Sequence, residues 1–127
     1  MEEFRPILLA GFGGFIGSAG RYLLGGWAHG LFPMTTFPVG TLVVNGTGCL
    51  LIGLLSGLAE SRQLLGADLR LFLLIGVLGG FTTFSSFAYE TLALTRDAEF
   101  ARAILNVAAQ LLLGLGFAWL GYAAVRS

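Results

Sequence analysis

The chain has 127 residues, 56 % of them hydrophobic and only 11 % charged, where a soluble domain devotes about a quarter of its residues to charge. Seven arginines balance seven acids with no lysine, which excludes a basic nucleic-acid reader and an acidic disordered tail. One cysteine and one histidine exclude a disulfide framework and a multi-histidine metal cluster, and 20 glycines with 11 phenylalanines point to lipid as the solvent.

Four apolar segments separate at the charges: 6–26, 38–58, 69–93 and 101–125. About 20 helical residues cross a ~30 Å hydrocarbon core, and in lipid a spanning segment satisfies its own backbone by being a helix. The expected fold is an all-α membrane protein with four transmembrane helices in a single domain, 1–127.

The first segment is too long for a signal-peptide core, lacks a clear cleavage site and precedes three more spans, so it reads as a retained helix. The linker from Trp27 to Phe37 carries His29, Gly30 and Pro33, and Pro38 suits a first helical turn. On the second segment Thr41, Asn45 and Gly48 share a helical face. Cys49 reads as a small buried hydrophobe. The sequon Asn45-Gly46-Thr47 is discarded because glycosylation needs an exposed loop. An intramembrane amide is costly and a functional candidate, and Asn45 is open to two uses, an interhelical hydrogen bond or a pore donor.

The third segment holds the densest signal, Gly79-Gly80-Phe81-Thr82-Thr83-Phe84-Ser85-Ser86-Phe87. Two readings are open. Adjacent glycines weaken a helix by about 1 kcal/mol each relative to alanine, the four hydroxyls can bond backbone groups that a break frees, and exposed carbonyls suit a hard cation. Alternatively the helix is continuous, with Phe81, Phe84 and Phe87 as a packing stripe. On the fourth segment Asn106, Gln110 and Gly114 share a face.

Glycines recur four apart (Gly13 and Gly17, Gly53 and Gly57, Gly76 and Gly80), a spacing that lets helix backbones approach closely. Four helices leave little room for a pore in one chain, so a homo-oligomer is the expected way to make a passage; packing within one chain is the alternative use of these glycines. With four spans both termini share a side. That side collects Arg5, Arg62, Arg70 and Arg126; the other collects Arg96 and Arg102, plus Arg21 if it snorkels outward. So weak a bias allows insertion both ways up and antiparallel pairing, although charge alone leaves a single orientation equally open.

A ring has a negative face and a positive edge, so ring edges among hydroxyl and amide donors offer partial positive charge to a small anion. No ring of acids lies at the span centres, which disfavours a carboxylate-lined cation filter. Arg21 and Glu90 lie towards helix ends, as vestibule residues or interfacial anchors.

Three stretches, Gly13-Gly14-Phe15-Ile16-Gly17 through Arg21-Tyr22, Phe37-Pro38-Val39-Gly40-Thr41-Leu42-Val43-Val44-Asn45-Gly46-Thr47-Gly48, and Gly79 to Phe87, occur in the order found in the Fluc/CrcB fluoride channels, and the chain resembles that family from end to end. The resemblance implies a passive fluoride channel in the bacterial or archaeal plasma membrane (the inner membrane of a Gram-negative cell). It implies a third helix broken near its middle and an antiparallel, dual-topology homodimer with two pathways and a central structural sodium ion. The carbonyls of Gly79 and Thr82 would hold the sodium. Phe84 and Phe87 would present ring edges to fluoride, with Asn45 as an amide donor beside them. Thr41, Ser85, Ser86 and Glu90 look like members of the polar route, and Arg21 of the vestibule. Gln110 departs from a frequent serine, Asn106 from an aromatic hydroxyl in some members, and Ser86 from a frequent threonine.

Two other classes bear on the same sequence. A small proton-coupled exporter needs a carboxylate deep in the membrane, whereas Glu2 and Glu3 precede the first span, Glu60 is in a loop and Glu90 is near a helix end. A non-transporting membrane subunit would use its polar residues for assembly alone.

Overall fold

The computed structural model describes residues 3–126, so Glu2 lies outside it. The regular structure of the described residues is helical: α1 (Phe4–Gly30), α2 (Val39–Ser61), a third span in two arms, and α5 (Phe100–Arg126). The arms are α3, residues 67–81, and α4, Phe84–Arg96. The four runs are 27, 23, 30 and 27 residues long and apolar, so at ~1.5 Å per residue each exceeds ~30 Å.

The observed helices are longer than the apolar segments because hydrophobicity marks the lipid-facing part and not the last turns. Gly25 and Gly26 remain helical and α1 closes at Gly30, where the Leu31 and Phe32 N–H groups return to the Ala28 and His29 carbonyls at 3.2 and 3.0 Å. Pro38 stands just outside α2 (φ −79°, ψ 71°) rather than in its first turn.

The chain packs as two tight pairs, α2 against α5 and α1 against α3, with α1 also touching α2. Glycine makes both pairs possible. A Cβ on Gly17 would run into the Val77 carbonyl oxygen, and one on Gly13 would meet the Gly76 Cα at 2.7 Å. Gly53 and Gly57 play the same part against Ala118, Tyr122 and Val125 of α5. All three glycine pairs therefore serve packing within one chain. α2 is the most enclosed helix and buries Gly40, Val44, Gly46, Gly48, Gly53, Gly57 and Ala59; Phe15, Tyr22 and Leu112, like most large apolar side chains, face outward.

The ends are tied by exposed contacts worth little individually. Arg5 pairs with Asp68, joining the starts of α1 and α3. At the opposite end the Thr36 hydroxyl donates to Glu99 at 2.8 Å while Arg102 donates to both Thr36 and Glu99, which joins the two linkers there.

Of the two readings of the third span, the broken helix is correct. Leu71–Leu78 winds as a π-helix, a wide form often found near functional sites. Gly79 is still helical (φ −62°, ψ −39°), and the chain extends only at Thr82 (ψ 156°) and Thr83 (φ −149°, ψ 112°). The break thus falls two residues after the glycine pair. Gly80 instead lets α3 lie against α1, since its Cβ would meet the Gly14 carbonyl oxygen at 2.6 Å.

Candidate ion pathway at the broken helix

A break at membrane depth frees backbone groups that lipid cannot satisfy, and side chains from α1 and α2 take them up. In a continuous helix the Thr83 N–H would bond to Gly79. Here it donates to Asn45 Oδ1 at 2.9 Å, and Asn45 Nδ2 donates to the Thr83 carbonyl at 3.1 Å. Because a backbone N–H can only donate, this pair fixes which amide atom is the oxygen. Asn45 Nδ2 also donates to Gln110 Oε1 at 3.1 Å. From α1, Arg21 Nε donates to the Gly80 carbonyl at 3.2 Å. Arg21 therefore turns inward and does not snorkel.

The hydroxyls act as the break requires. Thr82 Oγ1 donates to the Leu78 carbonyl at 2.9 Å. Thr83 is the N-cap of α4, its Oγ1 accepting from the Ser86 N–H at 3.1 Å and donating to Ser86 Oγ at 3.0 Å. Such a cap stabilises a helix by ~1 kcal/mol. Among the described residues no hydrogen bond reaches the carbonyls of Gly79 or Thr82.

Gly79 and Thr82 line a cleft of about 300 Å³ with Asn45, Phe84, Phe87 and Gln110. The rings of Phe84 and Phe87 meet edge to face, centroids 5.4 Å apart at 66°. Phe84 is 76 % exposed, so one rim of this ring cleft is open. A second cleft, of about 600 Å³, contains Arg21, His29, Thr41, Thr83, Ser86 and Glu90, and a shallower third joins Thr41, Ser85, Ser86, Tyr89 and Glu90. Thr83, held by Asn45, is common to the ring cleft and the larger polar cleft.

Among the described residues three buried side-chain atoms have no partner: Glu90 Oε1, Gln110 Nε2 and Asn106 Oδ1. Each such group costs roughly 1–3 kcal/mol, which an apolar side chain would avoid. Glu90 forms part of the wall of two clefts and is not a surface anchor.

The structure gathers all ten residues singled out from the sequence around one feature. Gly79, Thr82, Asn45, Phe84 and Phe87 share the ring cleft; Arg21, Thr41, Ser86 and Glu90 share the larger polar cleft; Ser85 joins the last three in the shallow one. Both Asn45 amide hydrogens are committed to protein acceptors. The unpartnered amide donor in the wall of the ring cleft belongs to Gln110, which the sequence marked as a polar residue on one face of the fourth segment and as a departure from the family pattern.

A family model described as "CrcB-like protein, Camphor Resistance (CrcB)" matches residues 8–122. The protein named fluoride-specific ion channel FluC of Prosthecochloris aestuarii is 45 % identical over 126 residues, 98 % of this chain and 96 % of its own length. The FluC of Thermus thermophilus is 50 % identical over 115 residues, 91 % of this chain and 89 % of its own. FluC 3 of Methanosarcina barkeri is 42 % identical over 115 residues, 91 % and 86 % respectively. Four apolar spanning helices, matched along nearly their whole length by proteins named as channels rather than enzymes, place the chain in the CrcB family of multi-pass plasma-membrane proteins.

Proposed function

We propose that this chain is a passive, fluoride-selective channel that lets fluoride leave the cytoplasm down its electrochemical gradient. The carrying observation is that relatives 45 and 50 % identical, matched over most of both chains, are named fluoride-specific ion channels. The clefts at the break fit that chemistry. An anion stripped of water needs donors, and the ring cleft offers the edges of Phe84 and Phe87, partial positive charges that attract without trapping; Gln110 belongs to the same wall, its unpartnered Nε2 buried. Asn45 orients this group by holding Thr83. Thr41, Ser85 and Ser86 continue the hydroxyl route, and Arg21 supplies fixed positive charge near the cytoplasm-facing vestibule. In an acidic medium fluoride takes up a proton, neutral HF crosses the lipid, and its dissociation to a proton and fluoride traps the anion inside. The membrane potential, ~2.3 kcal/mol per charge per 100 mV, drives it out.

The working unit in this reading is an antiparallel, dual-topology homodimer with two pathways, because the ring cleft is half open in one chain. The donor set at the break fits a structural sodium ion: the Gly79 and Thr82 carbonyls lack hydrogen bonds and hard cations take oxygen ligands. Those carbonyls, one pair from each copy, would hold it, and the ion would supply charge that binds the two breaks together.

The test is efflux from liposomes loaded with fluoride or with chloride. Fluoride is expected to leave and chloride to stay, with no imposed pH gradient; replacing sodium by N-methylglucamine is expected to reduce the flux. Strict dependence on a pH gradient would indicate a proton-coupled exporter, and no flux at all an assembly subunit.

A further inference from the structure

Asn106 of α5 is the one fully buried polar side chain among the described residues, at 0 % exposure. Its Nδ2 donates to Thr91 Oγ1 at 2.9 Å, and that hydroxyl donates to the Phe87 carbonyl one turn back at 2.8 Å. Its own Oδ1 has no partner. Neither Asn106 nor Thr91 lines any of the three clefts described above.

What these residues can do follows from how α4 is held. The extended residues Thr82 and Thr83 disconnect it from the α3 helix, so α3 does not dictate its direction. α4 packs chiefly on α5 and only lightly on α2, and Leu94 is its sole buried side chain. An apolar contact sets how near two helices lie but leaves rotation about the axis soft. A rod needs a second directional attachment. The first is Asn45 on Thr83 at the start of α4. The second is Asn106 on Thr91, eight residues or about 12 Å further along. Phe84 and Phe87 lie between the two.

We propose that Asn106, acting through Thr91, is a positioning residue of the pathway: it fixes the rotation of α4 against α5 and so the placement of the Phe84 and Phe87 rims in the ring cleft. The inference rests on the channel reading above. The pin operates through a hydroxyl, so any residue at 91 that keeps the hydroxyl keeps the pin. Replacing both partners by apolar groups of similar shape removes the attachment while leaving the packing and relieving the unpartnered oxygen.

The experiment is fluoride efflux from liposomes by full-length Thr91→Val, Thr91→Ser and the double variant Asn106→Leu/Thr91→Val, each with its melting temperature in detergent. The double variant is expected to melt as wild type or higher, yet to lose at least about tenfold in flux, since displacements near 1 Å already cost orders of magnitude at preorganised sites. Thr91→Ser is expected to conduct like wild type and Thr91→Val to fall with the double variant. In a Phe87→Ile background, adding Asn106→Leu should lower flux no further, because residues acting through one another are not additive. Wild-type flux in the double variant, equal losses in Thr91→Ser and Thr91→Val, or full additivity with Phe87→Ile would each overturn the assignment. If wild type itself passes no fluoride, the channel reading fails and not this one alone; should the double variant fail to fold, the valine–serine comparison decides.

Discussion

Asn45 and Thr83 hold each other by a reciprocal pair of hydrogen bonds, 2.9 Å from the Thr83 N–H to the side-chain oxygen and 3.1 Å from the side-chain nitrogen back to the Thr83 carbonyl. The pair replaces the helical bond that Thr83 would otherwise make to Gly79 and leaves the carbonyl of Gly79, a residue of the ring cleft, without that bond. One side chain on α2 thereby sets both the break in the third span and the oxygen surface beside it.

Removing that side chain strands two backbone groups in the membrane interior. Asn45→Ala is expected to lower stability by about 2–4 kcal/mol, read as the loss of melting temperature in detergent. Asn45→Asp keeps the acceptor for the Thr83 N–H but loses both donors, and should melt between wild type and Asn45→Ala.

The close glycine contacts make a second contrast. Gly17→Ala and Gly53→Ala would drive a methyl group into the Val77 and Ala118 carbonyl oxygens, and overpacking of this kind costs roughly 1–3 kcal/mol or more. At Gly11 and Gly116 an added methyl group would have nothing within 4 Å of it. Alanine there should be neutral or raise stability by up to about 1 kcal/mol through helix propensity. Melting temperature and the yield of folded protein distinguish the two classes.

Phe84→Ile and Phe87→Ile retain bulk and remove the polarised rim. Each is expected to lower fluoride efflux by about tenfold or more, the equivalent of ~1.4 kcal/mol, while the elution volume of the protein in detergent is unchanged. Normal efflux in both would mean that ring edges do not meet the ion.

The dual topology proposed above has its own readout. Arg21 is turned inward, so Arg96 and Arg102 face four arginines at the opposite end, still a weak bias. In a Cys49→Ser background, Asp97→Cys should be labelled by an impermeant maleimide to about half from each side of the membrane. Adding lysines at the end that carries Arg62 should drive labelling to one side and, if the working unit is the proposed antiparallel pair, abolish flux.

Much of this was legible in the chain itself. Long apolar runs bounded by arginines and acids specify four helices because a spanning segment in lipid has no other way to satisfy its backbone. The run from Gly79 to Phe87 marked where that rule could be relaxed, with a continuous helix as the other reading, and the polar residues at 41 and 45 were identifiable because each is costly in hydrocarbon; Arg21 and Glu90, near helix ends, joined them only through the family resemblance. Those signals are local, carried by residue type and spacing along one helix.

Tertiary structure decided the rest. Glycine spacing permits close approach without naming the partner; only the packed helices show Gly17 against Val77 and Gly53 against Ala118 within one chain. The glycine pair at 79–80 weakens a helix, yet the break lies at Thr82 and Thr83, where Asn45, 38 residues away, supplies the competing hydrogen bonds. Likewise nothing along the sequence separates Asn106, buried against Thr91, from Gln110 one turn on, beside the rings. Which amide holds a helix and which is left with a free donor depends on the neighbours that folding brings to it.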